Sequence, residues 1–186
     1  MVVGIYRIRE VGFIAGKSYS FAPVVDEFSE VLVLGTLPGP ESLRMGQYYA
    51  NPNNQFWKII YSVFGADNIF SAAKISGAAT VNLSYDEKVR FLLFNKIALW
   101  DIFHSAERKG ALDADIKSET PNDIPGLLRS YPGIRRIITA GRKAESSVKK
   151  YFPDIGVDVV YVPSASPAYA GLSLDDKIQK WKSAVL

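Results

Sequence analysis

Four short runs of consecutive apolar, mostly β-branched residues punctuate the chain: Val31-Leu32-Val33-Leu34, Ile97-Ala98-Leu99-Trp100, Arg136-Ile137-Ile138-Thr139, and Val157 to Val162. Runs of this length, without polar alternation, predict strands buried on both faces, as in a parallel sheet. Between them the apolar spacing becomes helical. Phe56, Ile59, Ile60 and Val63 share one face of a helix expected over residues 54–64. Ser84 with Glu87 three residues later forms a capping-box pattern ahead of a helix over 86–94. Further helices are expected over 123–130, 143–151 and 174–185. Strands alternating with helices predict an α/β domain with helices on both faces of a parallel sheet. Residues 1–30 read as an N-terminal extension or an edge strand followed by an extended stretch. No repeat, low-complexity segment or linker interrupts the pattern, so residues 1–186 are expected to form one domain.

In such folds the working surface lies beyond the carboxyl ends of the strands. The segments that follow the strands therefore hold the candidate chemistry. Gly35-Thr36-Leu37-Pro38-Gly39-Pro40 puts two prolines and two glycines into a rigid turn whose N–H groups can face an anion or a carbonyl. It has neither the Gly-Lys-Ser/Thr ending of a Walker A loop nor a Gly-x-Gly-x-x-Gly dinucleotide fingerprint. Gln47-Tyr48-Tyr49-Ala50-Asn51-Pro52-Asn53-Asn54-Gln55 crowds amides and aromatics together. Amides carry the donors and acceptors that read a nucleobase edge, and an aromatic ring supplies a stacking face. The same stretch also reads as a turn with Asn53 or Asn54 capping a helix whose Phe56 and Trp57 are core. Pro163-Ser164-Ala165-Ser166-Pro167-Ala168 is a stiff loop of small residues that allows close approach to phosphates, or is simply a turn.

Composition narrows the chemistry. There is no Cys and a single His among 186 residues. Disulfides, thiolate nucleophiles, iron–sulfur clusters and multi-histidine metal sites are excluded together. Apolar residues make up 48%, ample for a packed core, yet no apolar stretch reaches the ~18 residues of a membrane span. The N-terminus lacks the layout of a secretory signal. A cytoplasmic protein is expected. Net charge is +3, and from Lys117 onward eleven Lys/Arg against seven Asp/Glu concentrate the excess at +4. That bias suits a polyanion, although solvated helix faces often look the same. His104 reads as a surface or structurally bonded group, Asp101 as a turn cap, and Asp113 with Asp115 as support for a loop near a cleft.

Taken in order, the Gly35–Gly39 turn, Gln47 to Trp57, Ile97 to Asp101 with Leu112 to Ile116, and Pro163 to Ala168 resemble the uracil-DNA glycosylase superfamily, most nearly its DNA-deoxyinosine (hypoxanthine-DNA) glycosylase branch. The resemblance spans about residues 31 to 186. It implies a three-layer α/β/α sandwich around a four-stranded, mainly parallel sheet. It also implies a monofunctional glycosylase that excises deaminated bases (hypoxanthine, with uracil or xanthine as alternatives) in base excision repair, uses no metal or organic cofactor, and works as a monomer on damaged DNA with the nucleoid. The water-orienting Asp or Asn of many superfamily members falls on Leu37, a departure the deoxyinosine branch shares. There the match falls on Asn54, with Asn51 in reserve, as the catalytic amide. Relatives usually carry His where Asn51 stands and often Asn where Ala140 stands. Thr36, Leu37, Pro38, Gly39, Tyr49 and Phe56 are implied around the base, Tyr49 as the stacking ring. Ser42, Pro163, Ser164, Ala165, Ser166, Pro167 and Ala168 are implied against the DNA. Two other readings stay open: a DNA- or nucleotide-binding module without chemistry, and an α/β hydrolase of small nucleosides.

Overall fold

The computed structural model describes residues 16–65, 83–110 and 112–186. Strands β2 (Val31–Gly35), β3 (Ile97–Asp101), β6 (Arg136–Ala140) and β7 (Asp158–Val162) form one wholly parallel sheet in the order β3-β2-β6-β7. The central strand shows why these sequences are strands. Leu32 and Leu34 point to one face with Ala98 and Ile137, and Val33 points to the other with Leu99 and Ile138. Neither face meets water, so alternation between apolar and polar residues is absent.

The Val33 face is covered by α2 (Phe56–Val63), α3 (Tyr85–Phe94) and α6 (Leu174–Val185), through Phe56, Ile59, Ile60, Leu92 and Trp181. The Leu32 face receives α4 (Ile124–Ser130) and α5 (Arg142–Tyr151), through Ile124, Leu127, Ala144 and Val148. The expected three-layer α/β/α sandwich is therefore present, and α6 keeps its expected limits. Ser84 and Glu87 form the expected capping box. Helix α2 begins at Phe56 with Gln55 as its N-cap, in place of the expected Asn53 or Asn54; Asn54 stands one residue ahead, and its Oδ1 accepts the Phe56 N–H at 2.9 Å.

A second, antiparallel sheet lies outside the four parallel strands: β1 (Lys17–Tyr19), β4 (Phe103–Arg108) and β5 (Ile116–Pro121), in the order β1-β4-β5. The segment from Asp101 to Ile116, which follows β3, contains all of β4 and runs to the start of β5. Its apolar contributions are few, with Ile102, Phe103, Ala106 and Ile116 entering the core, and the β4–β5 pairing shifts register twice. The edge strand expected within the first thirty residues is β1, and it belongs to this smaller sheet. Residues 1–15 lie outside the described residues. The chain then runs extended past β3, where Val24 and Leu99 exchange backbone hydrogen bonds at 2.9 and 2.8 Å and cover that edge of the main sheet.

Candidate functional site

The carboxyl ends of β2, β3 and β6 converge at Gly35, Asp101 and Ala140, and a cavity of about 310 Å³ opens there. Its size suits a small ligand such as a single base, near the lower end of the roughly 300–1,000 Å³ usual for binding pockets. After Asp101 the chain keeps beside the exit of β2: the Ile102 N–H donates to Gly35 O at 2.9 Å and the Phe103 N–H to Thr36 O at 3.1 Å. This holds the Thr36–Gly39 turn over the strand ends. Arg108, buried in β4, donates from its guanidinium to the carbonyls of Leu37 and Pro38. Burial lowers the Arg108 pKa, while Asp113, Asp101 and Asp115 oppose that fall. The Thr36 hydroxyl donates to Asp113 Oδ1 at 2.7 Å. With these carbonyls turned toward Arg108, the N–H groups of Leu37 and Gly39 are left with no partner among the described residues.

Tyr49 and Asn54 reach the same cavity from the segment before α2. The Tyr49 ring stacks on Phe56, with centroids 3.9 Å apart and planes 13° from parallel. Its backbone sits at φ +53°, an uncommon conformation for a side chain of that size. The Asn54 side chain is half-buried. Its oxygen is spent on the Phe56 N–H, and its Nδ2 group has no hydrogen-bond partner among the described residues. Asn51, more exposed, accepts the Asn53 N–H on its Oδ1 at 2.9 Å while its carbonyl accepts the Asn54 N–H. Ser42 is buried and accepts the Ala50 N–H at 3.3 Å, which ties α1 (Pro40–Met45) to this segment. Ser164, Ala165, Ser166, Pro167 and Ala168 complete the lining.

Thirteen of the fifteen residues singled out from sequence thus line one cavity. Two do not. Phe56 is fully buried behind Tyr49, so it supports the stacking ring rather than facing a ligand. Pro163 faces away from the cavity, and its carbonyl accepts the Trp181 indole N–H at 2.9 Å. His104 is exposed, edge-on to Tyr19, and does not line the cavity. Sequence reading missed Arg108 and undervalued Asp101. The Asp101 carboxyl is buried in the cavity wall, accepting the Ser20 hydroxyl at 3.1 Å on Oδ2. Burial pushes its pKa up to about 7; the Ser20 hydrogen bond and Arg108 pull it down, and Asp113 adds to the rise.

Gly35 is part of the same arrangement. A Cβ there would lie 2.7 Å from Asp101 Oδ1 and 3.3 Å from the Tyr49 hydroxyl oxygen. Gly35→Ala is therefore expected to destabilise the protein by ~1–3 kcal/mol, the usual penalty of overpacking, measured by urea unfolding. An unchanged midpoint would show that the carboxyl moves aside freely.

No group of three or more His, Asp or Glu placed to hold a metal ion occurs among the described residues. No helix among them is long and apolar enough to cross a membrane.

A family model, the uracil DNA glycosylase superfamily, matches residues 22–186. The hypoxanthine DNA glycosylase of Methanosarcina acetivorans is 36% identical over 148 residues, 80% of this chain and 85% of that protein. That of Methanosarcina barkeri is 35% identical over 128 residues, 69% of this chain and 73% of its own. The solution NMR structure of a candidate uracil DNA glycosylase from Methanosarcina acetivorans superposes with a TM-score of 0.73 at 32% identity, covering 91% of this chain and 96% of the other.

Proposed function

Because the chain belongs to the uracil DNA glycosylase superfamily, we propose that its cavity receives a deaminated base flipped out of DNA, with hypoxanthine as the preferred base. The chain is a DNA glycosylase. The observation that carries the finer reading is the single cavity in which Tyr49, Asn54, the Thr36–Gly39 turn and the Ser164–Ala168 loop meet.

Hydrolysis of the N-glycosidic bond leaves the bonding electron pair on the departing base and positive charge on the deoxyribose. Water then attacks C1′ and gives up a proton. Such a reaction needs a stacked, extruded base, donors for the developing anion and a positioned water. In this reading the Tyr49 ring, held from behind by Phe56, stacks the base. The free N–H groups of Leu37 and Gly39 meet the charge on the base. The unspent Nδ2 of Asn54 orients the water, with Asn51 behind it. The Ser164–Ala168 loop presses on the phosphates.

Asp101 bears on the class of base. Deamination turns a ring nitrogen of adenine or cytosine from an acceptor into an N–H donor. An ionised carboxylate can accept from that N–H, whereas the lone pair of the undamaged base would face it unfavourably. We take residues 1–186 as one domain acting as a monomer in the cytoplasm, with the nucleoid.

The test is a panel of oligonucleotides, single- and double-stranded, each carrying one deoxyinosine, deoxyuridine or deoxyxanthosine, incubated with the protein and then treated with hot alkali. Strand cleavage at deoxyinosine is the expected result. Intact strands throughout would overturn the reading.

A further inference from the structure

Lys177 lies in α6, away from the cavity wall, and is only 2% exposed. Its ammonium donates to Gln55 Oε1 and to Tyr169 O, each at 2.8 Å, and sits 5.3 Å from the centre of the Tyr169 ring. Both partners flank the site. Gln55 follows Asn54 in the chain, and its own N–H donates to Ala165 O at 2.9 Å. The Tyr169 N–H donates to Ser166 O at 3.0 Å, closing the loop that contains Ser164 to Ala168. One ammonium therefore adds a second tie between the segment carrying Asn54 and the loop bonded to it.

The charge is the unusual part. Among the described residues no carboxylate stands within ion-pair distance of Lys177. Burial lowers its pKa, and no neighbouring anion counters that. A buried cation without a counter-charge is costly, and two neutral oxygens could be satisfied by an uncharged donor at less expense. An unneutralised charge one side chain beneath a surface loop projects a positive field through that loop.

We propose that Lys177 is a positioning residue that locks the Asn54 segment to the Ser164–Tyr169 loop, and that its charge is completed by a backbone phosphate of DNA seated on that loop. The inference rests on the glycosylase reading for the presence of DNA at the loop. It adds a phosphodiester subsite whose cation is hidden beneath the loop's surface.

The test uses the full chain and a fluorescein-labelled oligonucleotide with a single deoxyinosine, alongside its undamaged counterpart, with affinity followed by anisotropy between about 50 and 200 mM KCl. Each neutralised phosphate contributes about 0.7–0.9 to the slope of log affinity against log salt. Lys177→Met, which keeps the apolar stem, is expected to weaken binding about tenfold and to flatten that slope by about 0.7–0.9, the loss of one counter-charge. Gln55→Glu keeps an acceptor beside Lys177 and neutralises it in place; the same flattening is expected, and this variant retains a hydrogen-bonded Lys177 should Lys177→Met fold poorly. Lys177→Arg should keep the wild-type slope. A purely structural lysine would lower affinity in Lys177→Met with the slope unchanged, and would leave the slope of Gln55→Glu unchanged; either outcome overturns the proposal. These readouts need no turnover. Absence of base release by the wild-type protein would count against the glycosylase reading, whereas a wild-type slope in the variants would count against Lys177 alone.

Discussion

Asn54→Ala is expected to lower the rate of hypoxanthine release by at least tenfold, and on the order of 10²-fold if the amide acts as a preorganised donor, while the affinity for deoxyinosine DNA persists. The expectation follows from how the two ends of the amide are used. The oxygen is fixed on the Phe56 N–H, which sets the orientation of the group, and the nitrogen end is left for the cavity. The alanine variant also removes the acceptor of the Phe56 N–H, costing about 1 kcal/mol of stability. Asn54→Asp separates the effects, since a carboxylate oxygen can still accept the Phe56 N–H while the Nδ2 donors are gone. Loss of turnover in both variants, in protein that still melts cooperatively and binds damaged DNA, would place Asn54 in the chemistry. Undiminished turnover in Asn54→Ala would remove it.

Asp101→Asn is expected to make the protein more stable above neutral pH by as much as about 4 kcal/mol, with little difference near pH 4. The folded protein raises this carboxyl from an ordinary 3.8 to about 7, chiefly by burial. A group whose pKa is higher folded than unfolded gives its full stabilisation when protonated in both states. That contribution is lost as pH rises from about 4 through about 7, because the unfolded chain ionises freely while the folded one holds the proton. Asparagine is nearly the same shape, offers an oxygen to the Ser20 hydroxyl and does not ionise. Urea unfolding of both proteins across this window checks the expectation. A gap that stays constant with pH would refute the assigned acidity. A protein that tolerates such a group in a cavity wall is retaining it at the expense of stability, the pattern expected of a working residue.

The four parallel strands and α6 were legible because burial on both faces, and one amphipathic stripe, are local signals. Asn54 was legible as a polar group at the start of α2, one residue ahead of the Gln55 cap, with its oxygen on the Phe56 N–H and its side chain at the cavity. What escaped was set by distance in the chain. Asp101 looks like a turn residue until Ser20, 81 positions away, and Arg108 are placed around it. Arg108 gave no signal, because the carbonyls it holds lie about seventy residues earlier. The second sheet was hidden by its polarity: β5, Ile-Lys-Ser-Glu-Thr-Pro, buries only its first residue. Phe56 and Pro163 belong to the right segments but point the wrong way, a matter of side-chain direction that motif resemblance does not encode.

The stretch leading into β2 does more than shield an edge. Ser20, which holds the Asp101 carboxyl, lies just ahead of the span 22–186 that matches the superfamily. The acidity of a group in the ligand chamber is thus governed partly from outside the shared framework. Where a homologous enzyme lacks a comparable hydroxyl, that carboxyl would lose a hydrogen bond that favours its ionised form and would hold its proton to higher pH, so two enzymes alike in every motif could differ in the pH range over which they work.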